Sequence, residues 1–133
     1  MPDDIREHNR KLIAEFRAAG GVLPERPLLL LTTIGARTGR KHTAPMMYVE
    51  IDDRLFVIAS NAGAPEDPQW FRNLVADPLV TVEHAGEVYQ ATAVVPSGDE
   101  RDRLFGEIAQ RYPFFTEHQS RVTRRIPVVE LAR

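Results

Sequence analysis

Cysteine is absent from this chain of 133 residues, which removes disulfides, thiolate metal sites and cysteine nucleophiles together. Long apolar runs are missing too, and none approaches the ~20 residues that a membrane-spanning helix needs. Strong charge of one sign is lacking: a net charge of -2 leaves little to drive general binding to a nucleic-acid backbone. Histidine is sparse and scattered. His8, His42, His84 and His118 have no second histidine or carboxylate at the spacing of H-E-x-x-H, so no metal is expected. Serine occurs only at Ser60, Ser97 and Ser120, none within G-x-S-x-G, which leaves a covalent hydrolase with poor support. What remains is the composition of one soluble globular domain, 43% hydrophobic and 27% charged. The start of the chain, Met1-Pro2-Asp3-Asp4-Ile5-Arg6, has neither the basic beginning nor the unbroken apolar stretch of a secretory signal, and cytoplasm is the expected location.

The stretch from Leu28 to Asn73 organises the rest. An apolar strand, Leu28 to Ile34, breaks into Gly35-Ala36-Arg37-Thr38-Gly39-Arg40-Lys41-His42, and a second strand leaves through Thr43 to Ile51. No Asp or Glu lies between Arg26 and Val49, while Arg37, Arg40 and Lys41 crowd the turn. Such a loop suits an anion such as a phosphate, because a glycine-bracketed turn can aim successive N–H groups at it. Arg37 adds a planar fork of donors and Thr38 a hydroxyl. The loop is neither a Walker A motif nor G-x-G-x-x-G, so nucleotide hydrolysis is not expected. A solvated basic hairpin turn is the plain alternative.

Taken in order, residues 3 to 19 place Ile5, Leu12, Ile13 and Phe16 on one helical face, with Gly20-Gly21 as the stop. This amphipathic helix could cover the end of a sheet, close over a ligand, or lie on a membrane surface at the inner face. Pro24 and Pro27 mark a connector, dividing the chain into residues 1–27 and a domain at 28–133. Asp52-Asp53-Arg54 reads as the turn of a hairpin between Met47–Ile51 and Leu55–Ala59. Ser60 to Pro65 is a small-residue loop where backbone can approach a ligand. Asp67-Pro68 predicts a helix start, with Asp67 as cap, running through Trp70, Leu74 and Val75 and stopping before Asp77-Pro78. Two strands, Leu79–Glu83 and Val88–Val95, turn at Ala85-Gly86. Ser97 and Glu100 form a capping-box pattern opening a helix that carries Leu104, Phe105 and Ile108 and ends before Pro113. Phe114 to Arg125 reads as irregular. The last strand, Ile126 to Leu131, is expected at an edge or bulge because of Pro127. Six strands and three helices in this order predict an α+β domain built on a small antiparallel barrel or strongly curved sheet.

Two aromatic features stay open at this level. Trp70, in the first turn of its helix, could pack in the core or stack on a planar ligand. Tyr112-Pro113-Phe114-Phe115 could seal the core or wall a pocket.

The ordered series of motifs is more specific than its parts. Leu31-Thr32-Thr33-Ile34-Gly35-Ala36-Arg37-Thr38-Gly39, then Pro45-Met46-Met47-Tyr48, Ala59-Ser60-Asn61-Ala62-Gly63, Pro68-Gln69-Trp70-Phe71-Arg72-Asn73-Leu74 and Asp77-Pro78 closely resembles the deazaflavin-dependent nitroreductase family of actinobacteria. The likeness continues through Tyr112-Pro113 to Ile126-Pro127-Val128-Val129, so it spans about residues 28 to 131.

The resemblance implies a split β-barrel that binds coenzyme F420, an 8-hydroxy-5-deazaflavin with a phosphate and an oligoglutamate tail. By similarity, Ala36, Arg37 and Thr38 hold the phosphate end, and His42, Thr43, Ala44, Pro45, Met46 and Met47 line the cofactor along the second strand. Ile58, Ala59, Ser60 and Asn61 lie by the ring, with Ser60 the polar group nearest its reactive edge. Gln69, Trp70, Phe71, Arg72 and Asn73 add helix-start contacts, where free N–H groups favour anions. Phe115 faces the cofactor. The implied reaction is hydride transfer to an electron-poor quinone, activated alkene or nitro compound, with Ser60, Tyr112, His118 or water delivering the proton. The positions now Met47, Phe115 and His118 are tyrosines in nitro-reducing relatives; Ala44 replaces an asparagine, and Asn61 a lysine. Loss of the tyrosine hydroxyls favours quinones over bulky nitroimidazoles. An FMN-using relative on the same barrel and a non-catalytic F420 carrier are the alternatives. A nucleic-acid module using Arg37–His42 and Arg121–Arg125 is disfavoured, because no aromatic residues interleave those charges.

Overall fold

Alternating apolar residues build the barrel wall. The computed structural model describes residues 2–22 and 27–133, with the side chains of the first helix from residue 7 onward. Six strands, β1 (Leu28–Ile34), β2 (Lys41–Ile51), β3 (Arg54–Ile58), β4 (Leu79–His84), β5 (Glu87–Val94) and β6 (Val128–Ala132), pair antiparallel in the closed order β1-β2-β3-β6-β5-β4. Four helices accompany them: α1 (Pro2–Ala18), α2 (Gln69–Ala76), α3 (Gly98–Arg111) and α4 (Phe114–Ser120). The expected α+β barrel is what forms.

The two-residue period of the strands sorts their side chains. Leu29, Leu31, Leu55, Val57, Val80, Val82, Ala91, Val129 and Leu131 fill the interior, and Leu74 of α2 joins them with Trp70 and Phe71 packed alongside. The opposite faces of β2, β3 and β6 offer Val49, Ile51, Phe56, Ile58 and Val128 to Leu104, Phe105 and Ile108 of α3. Each such side chain contributes roughly 1.5–3 kcal/mol on burial, so two apolar layers share one sheet. Both hairpin turns use left-handed residues, Asp52 (φ 53°) and Asp53 (φ 61°) in one and Ala85 (φ 52°) in the other, whose twist matches the strands.

Helix α1 covers the barrel. Phe16 is 1% exposed, Leu12 and Ile13 are half-buried, and Arg17 clamps Glu83 through two bonds of 2.9 and 3.1 Å. A Cβ at Gly21 would lie 3.1 Å from the Gly86 backbone, so the chain leaving α1 crosses the β4–β5 turn where only glycine fits. The side chain of Ile5 and the connector around Pro24 lie outside the described residues.

Several local expectations are corrected. Phe114 to Ser120 is a helix, α4, because Pro113 presets a helical φ of -58° and Phe115 is buried beside α3. Asp67 does not cap α2; Pro68 occupies that position, and the Asp67 carboxylate pairs with Arg124 at 2.8 Å. Ser97 sits at the N-cap of α3 without a side-chain cap bond, and Glu100 faces Arg54 at 3.6 Å instead of reaching back. Pro127 does not put β6 at an edge. It precedes the strand, its carbonyl accepts the Ala59 N–H at 2.9 Å, and β6 lies between β3 and β5.

Candidate functional site

The basic loop is shaped by pairing at its base. Gly35 N–H donates to the Arg40 carbonyl at 2.7 Å and Gly39 N–H to the Gly35 carbonyl at 2.9 Å, so Ala36, Arg37 and Thr38 stand out at the tip. Gly35 is the cradle. A Cβ there would lie 2.7 Å from Thr38 Oγ1 and 2.8 Å from His42 Nε2, so its missing side chain admits both groups. Gly35→Ala is expected to push Thr38 and His42 aside and to lower stability by about 1–3 kcal/mol, read from the urea midpoint; an unchanged midpoint would mean that the loop tip adapts.

Helix α2 locks this loop to the barrel through Asn73, which is 1% exposed. Its Oδ1 accepts from Ala36 N–H at 3.1 Å and Gln69 Nε2 at 2.9 Å, and its Nδ2 donates to Thr33 Oγ1 at 3.1 Å. The Asn73 side chain and the Ala36 N–H are thereby engaged within the protein. A cavity of about 350 Å³ opens between loop and helix, bordered by Arg37, Thr38, His42, Gln69 and Arg72. Among the described residues Arg37, Arg40 and Lys41 form no ion pair, and all three are exposed. Arg72 donates one bond to the Asp67 carbonyl, 2.9 Å. A larger cavity, about 420 Å³, opens at the other end of the barrel, but Glu50, Asp53, Glu87 and Glu130 line it and make it a poor host for an anion.

From the loop, β2 runs with one edge free. It pairs with β1 over Lys41–Met47 but with β3 only from Tyr48 onward. Gly35–Arg40 and Pro27–Tyr48 are hydrogen-bonded pairs, so the even-numbered residues between them bond to β1, while the backbone groups of Thr43, Pro45 and Met47 face the unpaired side. Pro45 lacks an N–H at a place where that N–H would have no strand partner. The side chains alternate across the wall: Met46 packs into the interior and Met47 against the outer cluster, while Thr43 Oγ1 bonds Thr32 Oγ1 at 2.7 Å. The run from His42 to Met47 therefore presents its side chains on two faces and its free backbone on one edge.

At the far end of that edge lie the other sequence-named groups. Tyr112, Phe114, Phe115 and His118 form one cluster, with ring centroids 6.5 Å apart for Tyr112–Phe115 and 5.9 Å for Phe115–His118; Met47 packs against the same layer. His118 Nδ1 is buried without a hydrogen-bond partner. A Cβ at Gly63 would lie 3.5 Å from the His118 backbone, so α4 packs close against the loop that carries Ser60. Ser60 is 7% exposed, and its hydroxyl makes no hydrogen bond among the described residues. Ala59 is buried beside it, Ile58 packs into the outer layer, and Asn61 Nδ2 closes the loop on the Glu66 carbonyl at 3.0 Å. Trp70 is half-buried against the barrel interior, edge-on to Phe71 at 6.5 Å, which is core packing.

No local sequence signal singles out Arg124, yet it ties this region together. Inside the run Arg121–Arg125 it resembles a surface charge, and only its distant partners distinguish it. The neighbouring cations pair locally, Arg121 with Glu117 and Arg125 with Asp102, whose carboxyl is pulled below its usual range mainly by the bond from Arg101.

The closed six-stranded barrel is the fold of F420-dependent reductases. A solved F420-H2-dependent reductase, FDR-A, matches with a TM-score of 0.71 at 36% identity, covering 80% of this chain and 94% of that one. Another solved structure, described as a domain-swapped dimer, matches with a TM-score of 0.74 at 32% identity over 98% of this chain and 99% of its own. An F420H(2)-dependent quinone reductase of Mycobacterium tuberculosis is 35% identical over 131 residues, 90% of this chain and 86% of the relative. The sequence profile of the F420H(2)-dependent quinone reductase family matches residues 4–132, and the chain belongs to that family. Its cofactor is F420, and the residues present fit an elongated anion: the Gly35 cradle, three cations without an ion pair among the described residues, and the free edge of β2.

Proposed function

We propose that the protein reduces a quinone with reduced F420, and that the unpaired edge of β2 is the seat of the cofactor. The observation that carries this reading is the placement of two chemically different ends on one open edge, the basic Arg37 loop at Lys41 and the Tyr112–Phe115–His118 cluster at Met47. Arg37, Thr38 and the first amides of α2 would hold the phosphate end, where charge-assisted bonds are strongest. Backbone groups of Thr43, Pro45 and Met47, with Ala59 and Ser60 opposite, would orient the ring. When bound, reduced F420 supplies a hydride. Addition of that hydride and one proton converts the quinone to hydroquinone, and the chain's part is to orient the acceptor, exclude water and deliver the proton. Ser60, Tyr112 and His118 would deliver that proton. Met47 and Phe115 leave the acceptor side apolar and flat, which suits a quinone better than a polar nitro group.

The test is a titration of Trp70 fluorescence with oxidised F420 and, separately, FMN, followed by turnover of reduced F420 with a naphthoquinone. Selective response to F420 and quinone-dependent oxidation are expected. Preference for FMN would overturn the cofactor assignment, and tight F420 binding with no turnover would make the protein a carrier.

A further inference from the structure

Beyond β3 the backbone takes a course that its own residues do not favour. Ser60 is right-handed helical at φ -74°, and then Asn61 (φ 51°), Ala62 (φ 54°) and Gly63 (φ 81°) are left-handed in succession. Alanine has neither the freedom of glycine nor a polar side chain to stabilise that region, so the turn must be held from outside. Arg124 holds it. Its guanidinium donates to the Ala59 carbonyl at 3.2 Å, the Ser60 carbonyl at 2.9 Å and the Ala64 carbonyl at 3.1 and 3.3 Å. Two of these acceptors, Ala59 and Ser60, precede the left-handed run and Ala64 follows it, and a planar fork of five donors fixes their relative positions as a lysine ammonium could not.

The fork is itself anchored. Asp67 Oδ1 accepts from Arg124 Nη1 at 2.8 Å, which ties the Ser60 loop to the approach to α2. Gln119 Nε2 donates to the Arg124 carbonyl at 2.7 Å, while Gln119 Oε1 accepts from Ile126 N–H at 2.9 Å and buried Arg101 at 2.8 Å. Helices α3 and α4 therefore set where Arg124 stands. The Ser60 carbonyl is locked and its hydroxyl left free, the arrangement required of a group that must address a bound molecule.

We propose that Arg124 is a positioning residue for hydride transfer: it fixes the course of residues 59–64 so that Ser60 stands against the reacting ring. This rests on the reading that the Ser60 loop borders that ring. Asn61 and Ala62 are exposed, so loosening the turn shifts the loop without dismantling the core.

The experiment compares wild type, Arg124→Lys and Asp67→Asn by thermal midpoint, F420 affinity from Trp70 fluorescence, and single-turnover reduction of a naphthoquinone with reduced F420 carrying deuterium at the transferred position. For Arg124→Lys the expected result is affinity within about threefold of wild type, hydride transfer slowed about tenfold or more, and a larger deuterium isotope effect on the single-turnover rate. Asp67→Asn moves the rate and isotope effect in the same direction by less. A purely structural role would lower the midpoint and leave the rate per folded molecule and the isotope effect unchanged, and that outcome overturns the proposal. Should Arg124→Lys fail to fold, Asp67→Asn decides by the same readouts. Failure of the wild type to bind F420 would instead overturn the site reading itself, and the proposal with it.

Discussion

Asn73→Ala is expected to lower the free energy of unfolding by about 2–4 kcal/mol, seen as a fall in the urea midpoint. Asn73 is 1% exposed and Thr33, its acceptor, 0%. Removing the amide leaves the Thr33 hydroxyl without a partner where water does not reach, and such an orphan costs roughly 1–3 kcal/mol. The emptied volume adds to that, since cavities in a packed interior close only in part. Ala36 loses less, because it is exposed and its N–H can turn to water. The same change frees the loop tip from α2, so F420 affinity should fall along with stability. An unchanged midpoint would mean that Thr33 finds another partner and that Asn73 is no bracket.

Arg37→Ala is expected to weaken F420 binding about 10- to 100-fold while leaving stability within about 0.5 kcal/mol of wild type. The two effects separate because Arg37 is exposed and forms no hydrogen bond or ion pair with the described residues, so its loss strands no protein group. A charge-assisted bond to a phosphate contributes roughly 1.5–3 kcal/mol, which is the source of the affinity estimate. Binding should also become less sensitive to salt. Arg103→Ala, which removes an exposed arginine from α3, serves as the control and should change neither quantity. Equal loss from both arginines would reduce the loop to a general electrostatic attraction.

The site was legible in the sequence where its chemistry is local. Gly35 to Lys41 reads as a basic loop because its glycines, cations and lack of acids are neighbours in the chain. The resemblance places Asn73 at the cofactor; the structure adds that its amide is engaged with Ala36, Gln69 and Thr33. The run from His42 to Met47 was read as one lining, and the pleat of the strand divides it between two faces. Asp67 and Ser97 had the chemistry of helix caps, yet neither caps, since a cap bond competes with any partner that folding brings within reach.

By itself the sequence determined the class of fold, all six strands, the two hairpin turns and the basic loop, because apolar alternation, left-handed turn residues and charge clustering act over a few residues. The tertiary structure decided the closure of the barrel, the helix at Phe114–Ser120, the bracket at Asn73 and the task of Arg124. Three of these depend on a partner far along the chain: Thr33 for Asn73, Ala59 and Ser60 for Arg124, and β1 for β4. A buried polar group takes whichever partner the packed chain places beside it once water is gone, and local propensity carries no record of that choice.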